Sequence, residues 1–173
     1  MWYNIRELRK RKVVDFMSKK IYFDLDGTVY NLYGIENWLQ YLNEENSEVF
    51  TIGEFMVDYK KFMDCITALV KKGYSFGVIT WLPMRASEEF EEECRQQKIK
   101  WVKHFLPFVT EINCQSYGIP KQNAIQKKSK KMFLIDDNKE VCNTWEQEKN
   151  CTAVNLTKDF NVINALEKIL AID

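Results

Sequence analysis

The chain reads as an α/β protein built on a three-layer, Rossmann-like parallel sheet. Short apolar runs of β-branched and aromatic residues recur along its 173 residues. Segments with a helical apolar period separate most of them. Strands joined by helices pair in parallel through right-handed crossovers, and ligands bind such sheets at the carboxyl ends of the strands. Three of the apolar runs end in reactive side chains: Asp24 with Asp26, Thr80, and Asp136 with Asp137. The fold class sets those three runs side by side, so that their polar ends share one edge.

Residues 1–19 precede the first strand and read as a basic N-terminal extension. Arg6, Arg9, Lys10, Arg11 and Lys12 form a charge run beside a weak apolar face of Ile5, Leu8 and Val13. Met17-Ser18-Lys19-Lys20 looks like a protein start, so the run is taken as a solvated segment rather than a nucleic-acid arm. Residues 20–173 then form a single domain.

Ile21 to Phe23 is the first strand. It delivers two carboxylates one residue apart, Asp24 and Asp26, followed by Gly27 and Thr28. Two like charges that close require a cation or a shared proton. Gly27 permits a sharp turn, and Thr28 can hydrogen-bond back. Ile35, Trp38, Leu39 and Leu42 predict an amphipathic helix over 35–44, and Phe55 to Val70 predict another over 53–71 that stops at Gly73. Tyr30, Tyr33, Trp38 and Tyr41 either line a substrate slot or pack a lid.

Residues 75–79 form the second strand and end at Thr80. A helix over 86–97 follows, with Glu88, Glu89, Glu91, Glu92 and Glu93 early and Lys98 and Lys100 after its end, in keeping with the helix dipole. Arg85 either meets an anionic substrate or lies on the surface. Phe108 to Ile112 is a third strand, and Tyr117-Gly118-Ile119-Pro120-Lys121 a turn. Met132 to Ile135 is the fourth strand. It delivers Asp136 and Asp137, while Asn138 caps a helix over 139–149. A strand at 152–156 and a helix at 160–171 close the chain.

Lys+Arg and Asp+Glu are equal at 25 each, so no global field favours nucleic acid or an anionic membrane. The longest apolar runs are far short of a membrane span, and no secretory signal pattern is visible, which predicts a cytoplasmic protein. The five cysteines lack CxxC spacing and are expected to be reduced thiols. A single histidine, His104, argues against a His-based metal site or a Ser-His-Asp triad.

Asp24-Leu25-Asp26-Gly27-Thr28 after an apolar strand resembles the first motif of the haloacid dehalogenase (HAD) superfamily of phosphatases. Thr80 and the Asp136-Asp137 pair resemble its second and fourth motifs, and the resemblance covers residues 20 to about 160. It implies a short helical cap insert at about 30–57. It implies that Asp24 is a nucleophile, that Asp26 is a general acid and base, and that Thr80 donates to a phosphoryl oxygen. A third-motif lysine is also implied: Lys121 is the first choice, with Lys127 and Lys128 as alternatives. Mg²⁺ is expected among Asp24, the Asp26 main-chain carbonyl, and Asp136 or Asp137.

The expected activity is therefore Mg²⁺-dependent phosphomonoester hydrolysis through an aspartyl-phosphate. The short insert and the Asp-Asp fourth motif resemble small nucleotidase-like members, including 5′-deoxyribonucleotidases, so a nucleoside monophosphate is the leading substrate. A polynucleotide end phosphatase that uses residues 6–12 is one alternative. A catalytically silent HAD-like binding module is the other. Neither a membrane nor a nucleic-acid partner is expected.

Overall fold

A computed structural model describes residues 19–125 and 128–172; the basic run at 6–12 and Lys127 lie outside the described residues. Five strands form one sheet: β1 (Lys19–Phe23), β2 (Tyr74–Trp81), β3 (Glu111–Gln115), β4 (Lys131–Asp136) and β5 (Cys151–Asn155). Their order is β3-β2-β1-β4-β5, and every pairing is parallel. β1 is central, and its apolar residues are covered on both faces. Ile21, Tyr22 and Phe23 are fully buried. Phe23 is level with Val78 on β2 and Ile135 on β4. The strands that lead to Asp24, Thr80 and Asp136 are thus adjacent, as the fold class predicts.

Helices flank the sheet as α1 (Trp38–Asn43), α2 (Tyr59–Lys71), α3 (Glu88–Phe105), α4 (Lys139–Trp145) and α5 (Val162–Ile172). Strand alternation sorts the core into two layers. Ile21, Phe23, Phe76, Val78, Phe133 and Ile135 pack in one apolar cluster with residues of α2, α3 and α5. Tyr22, Ile79, Met132 and Leu134 face the other way, onto Trp145 of α4 and Ala124. The result is the three-layer, Rossmann-like α/β fold.

Element limits differ from the sequence reading in several places, among them the helix expected over 139–149, which ends at Trp145 before a turn that passes through Asn150 at φ 66°. The helix expected over 35–44 is only α1, preceded by a 3-10 turn at Leu32–Gly34, because Asn37 sits at φ 57°, outside the helical region. The helix expected from 53 begins at Tyr59, capped by the Asp58 carboxylate, which accepts from the Lys61 N–H at 2.7 Å. Residues before it run extended instead, with Asn31 N–H donating to Glu54 O at 2.9 Å and Met56 N–H to Val29 O at 3.0 Å. Phe55 and Met56 only mimicked the helical period.

The helix expected to stop at 97 continues to Phe105, so Lys98 and Lys100 lie inside α3. Trp101, Val102 and Phe105 extend its apolar stripe, and no breaker occurs before Pro107. The third strand begins at Glu111 rather than Phe108, since Val109 turns back onto Leu106 O at 3.0 Å. The basic extension also ends one residue early, because Lys19 already pairs with Tyr74 and Lys131. No described helix is long and apolar enough to cross a membrane. All five cysteines are free.

Candidate active site

The carboxyl ends of β1, β2 and β4 bring Asp24, Thr80 and Asp136 together. Asp24 continues β1 by one residue, and its N–H donates to Ile135 O at 2.9 Å, which holds it opposite Asp136. Asp24, Thr80 and Asp136 are all buried. Asp26 lies in the following turn, closed by Gly27 N–H donating to Tyr30 O at 2.9 Å. Gly27 has φ 75°, and a Cβ there would stand 2.6 Å from both Asp137 Oδ2 and the Tyr33 ring. Only glycine lets the turn pass beneath these two groups.

Two lysines meet the carboxylates from opposite layers. Lys121 opens a 3-10 turn, Lys121–Ala124, and is 3 % exposed. Its Nζ donates to Asp24 Oδ1 at 2.5 Å and to Asp136 Oδ2 at 2.7 Å. Burial works against the charged ammonium, but Asp24 and Asp136 outweigh it and raise its pKa. Lys128 instead pairs with Glu148 on the surface at 3.1 Å.

The second lysine is Lys98 of α3, 1 % exposed. Its Nζ donates to Asp26 Oδ2, to Thr80 Oγ1 at 3.1 Å and to the Trp81 carbonyl at 2.8 Å. It also lies 4.5 Å from the Phe50 ring centre, a cation–π contact. The sequence reading assigned Lys98 only to dipole compensation. A signal was present, since Lys98 falls at i+4 from Cys94 and i+8 from Phe90 on the buried stripe of α3. A lysine there needs a buried partner.

Even so, the site is rich in negative charge. Asp24, Asp136 and Asp137 each offer an oxygen, and these oxygens lie within 4.8 Å of one another. Burial and then Asp24 raise Asp136 to about 6, against the opposing pull of Lys121. Burial, Asp24 and Asp136 raise Asp137 to about 7. Asp26 is also raised, first by burial, with Lys98 opposing and Asp24 adding to it. Close carboxylates that resist ionisation, all hard oxygen donors, fit a divalent cation. Asp24, Asp136 and Asp137 could hold one. The Asp26 carboxylate is outside that triad, because Lys98 occupies it.

A cavity of about 490 Å³ opens over these groups, a size suited to a small molecule. Five aromatic rings stand among the charged and aliphatic side chains of its walls. Tyr33 and Trp38 meet edge to face with centres 5.2 Å apart, and Trp81 and Tyr117 lie 5.0 Å apart on another part of the lining. Of the four aromatics singled out from sequence, Tyr33 and Trp38 line this cavity. Tyr30 is buried against Trp101 of α3, and Tyr41 borders a separate groove. Arg85 is exposed and does not line the cavity, and His104 is exposed at the end of α3. Trp81, Phe50 and Tyr117 were not anticipated, because a strand end, a 3-10 turn and a loop far apart in sequence bring them in. No family model matches the chain, and no curated protein matches it.

Proposed function

We propose that this chain is a Mg²⁺-dependent phosphomonoester hydrolase that works through an aspartyl-phosphate. One observation carries the reading: Lys121 bridges Asp24 and Asp136 at the floor of a cavity that Asp26 also lines. A nucleophilic carboxylate, a second carboxylate within reach and a buried ammonium are the parts phosphoryl transfer needs. The resemblance of Asp24 to Thr28 to the first HAD motif supports the same roles.

In this reading an Asp24 oxygen attacks phosphorus. The bond from phosphorus to the leaving oxygen breaks, and that oxygen takes its proton from the Asp26 carboxyl. Asp26, now a carboxylate, removes a proton from water as the water attacks the phosphorus of the aspartyl-phosphate. The bond to Asp24 then breaks and phosphate leaves. Thr80 and Lys121 donate to the phosphoryl oxygens. Lys121 uses two N–H groups on the aspartates, which leaves one of its three for that purpose. A cation held by Asp24, Asp136 and Asp137 would add positive charge against the developing oxyanions.

The two aromatic pairs support a planar leaving group, with a nucleoside monophosphate foremost. The polynucleotide reading would gain from activity on nucleic-acid ends that falls steeply with salt and depends on residues 1–16. The silent binding module is disfavoured by the full set of reactive groups.

The test is phosphate release by purified protein with Mg²⁺ from an aryl phosphate and a nucleotide panel. Asp24→Asn should abolish release while circular dichroism stays unchanged. Wild-type inactivity across the panel would favour a binding module, and undiminished turnover by Asp24→Asn would remove it as nucleophile.

A further inference from the structure

We infer that Lys98 is a positioning residue that orients both Asp26 and Thr80 for phosphoryl transfer, without itself touching the phosphoryl group. The inference rests on the phosphatase reading above and adds a residue which that reading does not use.

The donor count supports it. An ammonium has three N–H groups. Those of Lys98 are matched by Asp26 Oδ2, Thr80 Oγ1 and the Trp81 carbonyl. Lys121 differs, since its two bonds leave a donor over. The phosphoryl group therefore falls to Lys121 and not to Lys98.

Each bond of Lys98 has a directional consequence. By holding Oδ2 it fixes the rotamer of Asp26. Asp26 Oδ1 is buried and has no partner among the described residues. By donating to Thr80 Oγ1 it occupies a lone pair there, so the Thr80 hydroxyl is turned toward acting as a donor. Its own alternative acceptor, the Trp81 carbonyl, is distant at 3.4 Å and already engaged by Lys98. The bond to the Trp81 carbonyl and the contact with the Phe50 ring anchor the ammonium from the strand end and from the insert. Lys98 sits mid-helix in α3, where rigid packing limits its freedom.

The experiment compares kcat/KM of wild type and Lys98→Met on an activated aryl phosphate and an alkyl phosphate. This ratio reports the steps through departure of the leaving group. An aryl oxide departs readily without a proton, whereas an alkoxide requires one. Loss of an oriented acid should lower kcat/KM for the alkyl ester by about 100-fold and for the aryl ester far less. A loss that is equal for both esters overturns the positioning of Asp26.

Lys98→Met leaves a buried carboxylate unpaired and can fail to fold. The second arm removes both charges, comparing Asp26→Asn with Asp26→Asn/Lys98→Met on the aryl ester. The expected result is a change under threefold between them, the remaining effect being that on Thr80. A further loss above about tenfold that persists in a Thr80→Val background shows that Lys98 acts directly on the phosphoryl group, which overturns the inference. Wild-type silence on both esters overturns the phosphatase reading and this inference with it. Wild-type activity with either adverse result overturns the inference alone.

Discussion

Asp137 illustrates how the site's charge is poised. Its carboxyl is pushed up to about 7, and that of neighbouring Asp136 to about 6, both from an ordinary 3.8. A carboxyl whose folded pKa is raised makes the folded state hold protons that the unfolded chain releases. The stabilisation is complete below the unfolded value and is lost as pH rises through 6 to 7. Without divalent cations, the melting temperature should therefore fall between about pH 5 and pH 8. A cation that replaces the protons should reverse the trend, so that Mg²⁺ stabilises little at the acid end and by several degrees at the alkaline end. In a domain of this size each ~1 kcal/mol shifts the melting temperature by about 2–4 °C. Thermal melts across that range, with and without Mg²⁺, check this. A Mg²⁺ effect that is flat with pH would remove Asp136 and Asp137 as its ligands.

Among the elements, β2 depends on one missing side chain. A Cβ on Gly77 would stand 2.6 Å from the Tyr22 ring of neighbouring β1. That ring is fully buried and meets Trp145 edge to face at 5.6 Å, so it has little room to retreat. Gly77→Ala should cost about 1–3 kcal/mol through overpacking. Urea unfolding measures it, and an unchanged midpoint would show that Tyr22 can shift. Four of the five strands were legible because each holds a short apolar run that ends in a polar group, whereas β3, Glu111–Gln115, is largely polar and was placed too early. Asp24, Asp26, Thr80, Asp136 and Asp137 were legible for the same reason: local sequence sets which residue follows a strand. Lys98 was not, because its meaning depends on where α3 docks. The limits of α1 and α2 were misread where Asn37 and Asp58 interrupt an apolar period that continues across them.

For the whole molecule, residues 30–57 are held together and onto α3 by apolar packing and by a set of directed contacts. The Tyr30 hydroxyl donates to Val49 O at 2.5 Å and accepts from Gly53 N–H at 2.7 Å. Its ring packs edge to face on Trp101 of α3 at 5.1 Å. Glu45 accepts from Ser87 N–H and Oγ at 2.8 and 2.7 Å, which ties the insert to the first turn of α3. Tyr30→Phe keeps the ring but strands two buried groups, at about 1–3 kcal/mol. Hydrogen exchange should quicken at residues 49–53 while β1 and β4 keep their protection. Equal loss everywhere would mean that insert and sheet open as one unit.

Lys98 and Lys121 reach the carboxylates from opposite sides of the sheet, and this bears on how the protein folds. A form with β1 paired to β4 but neither lysine docked would hold Asp24 and Asp136 together without an ammonium between them. A chain with only one layer docked holds this cluster half-neutralised, and its strand edges repel one another. The carboxylates therefore have both ammonium partners only when both layers are packed. The same arrangement thereby penalises partly assembled forms of the domain.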